Sequence, residues 1–180
     1  MFQSFNGLEL KLLRLLNEYS IENVAEKICK SKQYIDKLET GLSYPTDELL
    51  IELCKLFEVK KDFFYQVHSP LQEDQIHFRS LKTSRQFAKQ VVIARAEQLN
   101  RLLKFIEEQV NLPDYLINSI DIDHTVLNGD QIEKIADDFR KQFDLGLAPI
   151  SNLTEFCEDI GIIVTDFDSI STEVDALSLI

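Results

Sequence analysis

The 180-residue sequence has no tryptophan, one methionine, five glycines and four prolines. So few turn-forming residues argue for helices and against a turn-rich β fold. Its three cysteines, Cys29, Cys54 and Cys157, are odd in number and widely spaced. No pair has metal-ligand spacing such as C-x-x-C. Cys54 and Cys157 fall on helical apolar positions, so buried, reduced thiols are expected. No apolar run approaches the ~20 residues of a membrane span, and no basic-then-apolar signal segment is seen; a soluble, cytoplasmic protein is expected. Positive charge is also scarce: 19 Lys and Arg stand against 31 Asp and Glu, a net charge of −12. Nucleic-acid affinity draws on Lys and Arg through counterion release, so the chain as a whole cannot bind phosphate by bulk charge. The deficit is uneven. Met1 to Val67 holds 9 basic and 11 acidic residues, net −2, whereas His68 to Ile180 holds 10 and 20, net −10. A nearly neutral N-terminal part remains able to bind DNA through one basic face.

What is present is ordinary globular material: 44% hydrophobic and 28% charged residues, with 12 Phe and 5 Tyr to fill cores. The length suits one to two domains. From Asn6 to Tyr19, leucines at 8, 12, 13, 15 and 16 predict an amphipathic helix. Ser20 is placed to cap a second helix with Val24, Ala25 and Ile28 facing inward. A tight turn at Cys29-Lys30 leads to Ser31, which caps a third helix. There Ile35 and Leu38 face the core and Gly41 supplies the stop. Thr46 caps a fourth helix through Leu49, Leu50, Leu53, Cys54 and Phe57, and Lys61 to Tyr65 form a short fifth.

From His68 to Thr83 the periodicity fails, and Pro70 among polar residues marks a linker; Ile76 to Ser80 alternate as a short strand or extended tie. A long helix is predicted from Ser84 to Asn111, with an apolar stripe of Phe87, Val91, Ala94, Leu99, Leu102, Leu103, Ile106 and Val110. Such a stripe serves either a homodimer or a core contact within the chain. Asp114 to Asn128 read as loop. Asp130 is expected to cap a helix with Ile132, Ile135, Ala136, Phe139 and Phe143 on one face. Asn152, three residues before Glu155, predicts the start of a helix ending at Gly161. The β-branched run Ile162 to Phe167 is the expected strand, and with nothing to pair with it makes the domain look interrupted.

The second and third helices make a helix-turn-helix whose outer face offers Lys32, Gln33, Tyr34, Asp36 and Lys37, with Ser31 at its start. Gln can read adenine bidentately, Lys meets guanine or phosphate, and Tyr touches phosphate or a thymine methyl. Leu8 to Phe64 resembles the Xre (Cro/repressor-like) family. The matching positions are Val24-Ala25-Glu26-Lys27-Ile28, Ser31, Ile35, Leu38-Glu39-Thr40-Gly41, Pro45, and Leu53 to Phe64. The resemblance implies a five-helix bundle that binds double-stranded operator DNA, mostly as a dimer. Two positions depart from the family: Ile21 stands where Gln usually touches a phosphate, and Leu42-Ser43-Tyr44 replace the usual Lys or Arg before proline.

Further on, His77-Phe78-Arg79-Ser80-Leu81, the long helix, and Leu145 to Leu153 followed by Gly161-Ile-Ile-Val resemble the entry into an ImmA/IrrE metallopeptidase-like domain. That family's zinc chemistry rests on an H-E-x-x-H helix. The sequence has no such motif: His68, His77 and His124 lie far apart. No catalytic residue, metal ligand or cofactor is therefore assigned, zinc belonging only to a longer form. The acidic residues Glu158, Asp159, Asp166, Asp168, Glu173 and Asp175 lack calcium-loop spacing and read as a solvated face. The expected fold is mainly α: a helix-turn-helix bundle over 1–67, a linker over 68–83, then a long helix and an incomplete α+β domain over 84–180. The expected function is a bacterial or phage-type, sequence-specific transcriptional regulator. The alternatives are the non-catalytic portion of a zinc peptidase and an antitoxin or phage-defence module that binds protein.

Overall fold

The computed structural model describes residues 4–72, 75–80, 86–117, 128–166 and 174–179. It is mainly helical, with one two-stranded sheet among the described residues. In order come α1 (Gly7–Leu16), α2 (Ile21–Lys27), α3 (Lys32–Glu39), α4 (Asp47–Phe57) and a short 3-10 helix (Lys61–Tyr65). These are followed by β1 (Ile76–Ser80), α5 (Gln86–Glu107), α6 (Gly129–Gln142), α7 (Leu153–Asp159) and β2 (Val174–Leu179). Two compact units divide the chain, Met1–Phe105 with Phe167–Ile180, and Ile106–Asp166.

In the first unit the helix starts are set by side chains that accept otherwise orphaned backbone N–H groups. Asn6, Ser20, Ser31 and Thr46 cap α1 to α4 in turn. Because glycine is scarce, several helix ends turn on other residues. Glu18, Cys29 and Glu58 all adopt positive φ, near +50°, beyond α1, α2 and α4, and of these four helices α3 alone is followed by a glycine, Gly41. Leu10, Val24, Ile35, Leu38, Leu53 and Phe64 have no exposed surface and form the centre of the bundle. Phe5 stacks on Phe64 at 5.6 Å, and the Asn6 N–H donates to the Phe64 carbonyl at 2.7 Å, closing the N-terminus onto the 3-10 helix.

The long helix joins this unit. Val91 and Ala94 of α5 pack with Leu12 and Leu15 of α1, backed by Leu16 and Phe63. Arg101 donates to both carboxylate oxygens of the buried Glu9, at 2.7 and 3.1 Å, and to Glu97 one turn away. Burial opposes the Arg101 charge, but its bonds to Glu9 and then Glu97 outweigh it and hold its pKa above the ordinary value. The expected stripe along α5 is therefore only partly an inner face: Val91 and Ala94 are buried, whereas Phe87, Leu102 and Val110 are exposed. Helix α5 also stops at Glu107, short of Asn111, with Val110 in the turn beyond it.

The strand assignment is corrected. Residues 162–166 are not strand, and Ile163 and Val164 are exposed; Phe167 lies outside the described residues. Instead β1 pairs antiparallel with β2, Ile76 opposite Leu179 and Phe78 opposite Leu177. β-propensity expresses fit to a pleated, half-covered surface, and among the described residues 162–166 have no paired neighbour to supply one.

The second unit holds α6 and α7. The cap of α6 is Asn128 rather than Asp130, because Asn128 and Gln131 exchange side-chain and backbone bonds in a capping box. Asn152 caps α7 as predicted, accepting from the Glu155 N–H at 3.2 Å. Phe139, Phe143 and Phe156 cluster with centroids 4.9 to 6.2 Å apart. Gly161, at φ +83°, allows the chain to pass against the backbone of Asp114, where a Cβ would collide. The cysteines depart from expectation: Cys29 is exposed and Cys54 and Cys157 are half-buried. Burial pushes the Cys54 thiol pKa up, with Lys61 opposing. Among the described residues no helix is long and apolar enough to cross a membrane.

Candidate nucleic-acid interface

Helices α2 and α3 and the four residues between them form the helix-turn-helix. The Ser20 hydroxyl accepts from the Asn23 N–H at 3.1 Å, and the Asn23 side chain accepts from the Ser20 N–H at 2.9 Å. Ile28 is buried beneath the turn, Cys29 reverses the chain at φ +51°, and the Lys30 N–H donates back to Ala25 at 2.9 Å. Ser31 then accepts from the Tyr34 N–H at 3.3 Å and starts α3.

Helix α3 is split cleanly by its 3.6-residue period. Ile35 and Leu38 are fully buried, and Lys32, Gln33, Asp36 and Lys37 lie exposed on the opposite face. This is the division read from the sequence, with Tyr34 as the exception. Tyr34 is half-buried against the core cluster, and its hydroxyl donates to the Tyr44 carbonyl at 3.3 Å. A ring so placed braces α3 against the loop after it. Ser31 is committed to capping. The Lys32 ammonium is hydrogen-bonded to the Glu22 carboxylate of α2. That hydrogen bond, followed by Glu22's own backbone N–H, holds the Glu22 carboxyl pKa below the usual range. The side chains of Gln33, Asp36 and Lys37 have no hydrogen bond or ion pair among the described residues. Gln33 offers the paired donor and acceptor that match adenine, Asp36 an acceptor for a cytosine amine, and Lys37 a donor for guanine or phosphate.

Sequence reasoning missed what holds α3 at its angle. Arg14 of α1 forms a buried, two-pronged ion pair with Glu39, Nε to Oε1 at 2.6 Å and Nη2 to Oε2 at 2.9 Å. Its remaining Nη1 donates to the Tyr19 carbonyl at 3.0 Å. The first turn of α1 comes so close to the end of α3 that a Cβ on Gly7 would overlap the carbonyl oxygens of Leu38 and Glu39. Neither signal is local: Arg14 and Glu39 lie 25 residues apart.

The two departures noted in the sequence also have places. Ile21 opens α2, and Leu42 and Tyr44 are 77% and 61% exposed on the loop after α3. Neither position adds a cation. Over the exposed residues of α2, the turn and α3, Lys27, Lys30, Lys32 and Lys37 face Glu22, Glu26 and Asp36. Lys27 lies over the Tyr19 ring at 4.9 Å, so the face carries four cations against three carboxylates, a net charge of only +1.

The helix-turn-helix family model matches residues 10–64. The match begins within α1 and ends within the 3-10 helix, so it takes in α2, α3 and the Arg14–Glu39 pair. No match was found among curated proteins or among solved structures.

Proposed function

We propose that the chain is a sequence-specific DNA-binding transcriptional regulator of Xre type, with α3 as the helix that enters the major groove of an operator. The observation that carries this reading is the uncovered face of α3. Gln33, Asp36 and Lys37 are exposed, with no side-chain partner among the described residues, on a helix tied to its neighbours by the Arg14–Glu39 ion pair and the Tyr34 hydrogen bond, in a segment that matches the helix-turn-helix family. Pre-organised side chains on a fixed element are what base readout requires. The rest of the chain is assigned to sensing or dimerisation. Homodimers present two such helices to an inverted repeat.

Selection from a random duplex library followed by anisotropy titration tests the reading. The full chain is expected to recover a short inverted repeat and to bind it with salt-dependent affinity. The Gln33→Ala/Lys37→Ala double variant is expected to lose it, since each good base contact contributes about 1–3 kcal/mol of discrimination. A double variant that binds the selected repeat as tightly as the parent would place the contact surface elsewhere.

A second reading, a helix-turn-helix that binds protein, is favoured by one observation: four cations stand against three carboxylates across the exposed face, a small positive excess for a phosphate-binding surface. A partner that co-purifies with the full chain, with no duplex retained by selection, would support it. The resemblance of residues 76–180 to an ImmA/IrrE domain rests on the order of parts in the sequence alone.

A further inference from the structure

We infer that Glu22 is a specificity-determining residue: it restrains Lys32 as a counter-ion and so suppresses indiscriminate attachment to DNA phosphate. The inference rests on the DNA-binding reading above. Lys32 is the first residue of α3, the position from which such a helix reaches the groove or the flanking backbone. Its ammonium is bonded to the Glu22 carboxylate across the turn, with about half of each side chain exposed. Glu22 itself sits in the first turn of α2, the helix that crosses the DNA backbone in this arrangement.

An exposed pair of this kind is weak as a source of stability, so its effect lies in charge balance. To meet a phosphate, Lys32 must exchange one anion for another, and Glu22 is then left without its counter-ion on the surface that faces DNA. No net gain in counterion release accompanies that exchange. Lys37 has no such partner among the described residues, and Gln33 carries no charge. Readout therefore falls to Gln33, Asp36 and Lys37, while the cation at the helix start contributes little to non-specific affinity. Glu26 and Asp36, the other exposed carboxylates of the two helices, add to the repulsion but have no hydrogen bond to a lysine among the described residues.

The test uses the full chain, a random-sequence DNA duplex and titrations between about 50 and 200 mM salt, the range in which phosphate contacts report themselves. Glu22→Gln keeps the side-chain size and an equal helix preference. It is expected to bind the random duplex roughly fivefold tighter at low salt, the size of one unit-charge interaction in water. Its slope of log K against log salt should steepen by about 0.9, the value of one added phosphate contact. Placed in a Lys32→Ala background, the same change should leave the slope unaltered. An equal gain with and without Lys32 would overturn the inference by assigning the effect to repulsion from Glu22 alone. So would binding by both proteins with unchanged affinity and slope. Failure of the parent and every variant to bind any duplex at low salt would instead overturn the DNA-binding reading, and the inference with it.

Discussion

Helices α3 and α6 carry equally clean amphipathic patterns and meet different fates. In α3 the apolar face is gone from the surface: Ile35 and Leu38 have no exposed area. In α6 no residue is buried, and Ile132, the first position of its apolar face, is 54% exposed. Both helices are well capped, so local chemistry does not explain the difference. What α3 has is a set of neighbours: α1 and α2 pack against it, Ile35 and Leu38 join the leucines and valines of one core cluster, and the Arg14 guanidinium grips its last residue. Among the described residues α6 has chiefly its own phenylalanines and Phe156. Period and caps make a helix and nominate a face; burying that face takes other elements at the right distance.

The comparison is broken most severely at the grip on α3. Removing one partner of a buried ion pair leaves an uncompensated charge, so Arg14→Ala is expected to lower the stability of the first unit by about 3–5 kcal/mol. Urea unfolding of the full chain, followed by a probe in α3 and another in α6, checks this. A loss below about 1 kcal/mol would put the pair in the range of solvent-screened surface bridges. The packing contrast is sharpened by two truncations. Leu53→Ala removes a fully buried side chain and should cost about 2–5 kcal/mol. Ile132→Ala removes a half-exposed one and should stay within about 0.5 kcal/mol. Equal losses would mean that the face of α6 is covered in solution.

The smallest effect concerns acid. Glu48, in the first turn of α4, has its carboxyl pKa lowered by its own backbone N–H, then by the Thr46 hydroxyl. A carboxylate with a lowered folded pKa contributes stability that is fully present above the ordinary Glu range. The contribution disappears as pH falls through the lowered value. Thermal melts of parent and Glu48→Gln should therefore differ slightly at neutral pH and converge on acidification. A gap that widens toward low pH would contradict the assignment.

Much of the first unit was legible in order and in kind. Ser20, Ser31 and Thr46 announced their helices, and the outward face of α3 followed from the inward positions of Ile35 and Leu38. Reading went wrong where two choices were locally equal. Asn128 and Asp130 each have a capping-box partner three residues on, Gln131 and Glu133, and the box that closes is Asn128–Gln131. Tyr34 looks solvent-facing until Tyr44, ten residues on, supplies the carbonyl that turns it inward. The β-branched run at 162–166 carried strand propensity without a paired neighbour, and the chain's alternating segment at Ile76–Ser80 found its partner about a hundred residues away.

By itself the sequence determined the helix-turn-helix, its caps and, Tyr34 apart, the residues shown to solvent on α3, because these depend on interactions within about four residues. Tertiary structure alone decided that Arg14 would lock Glu39, that Gly7 would let α1 approach α3, and that Arg101 would bind Glu9 across 92 residues. It also decided that Glu22 would hold Lys32. Such pairs form only after packing has brought distant segments within hydrogen-bond reach, and hydrophobic periodicity nominates a buried face without naming its neighbour.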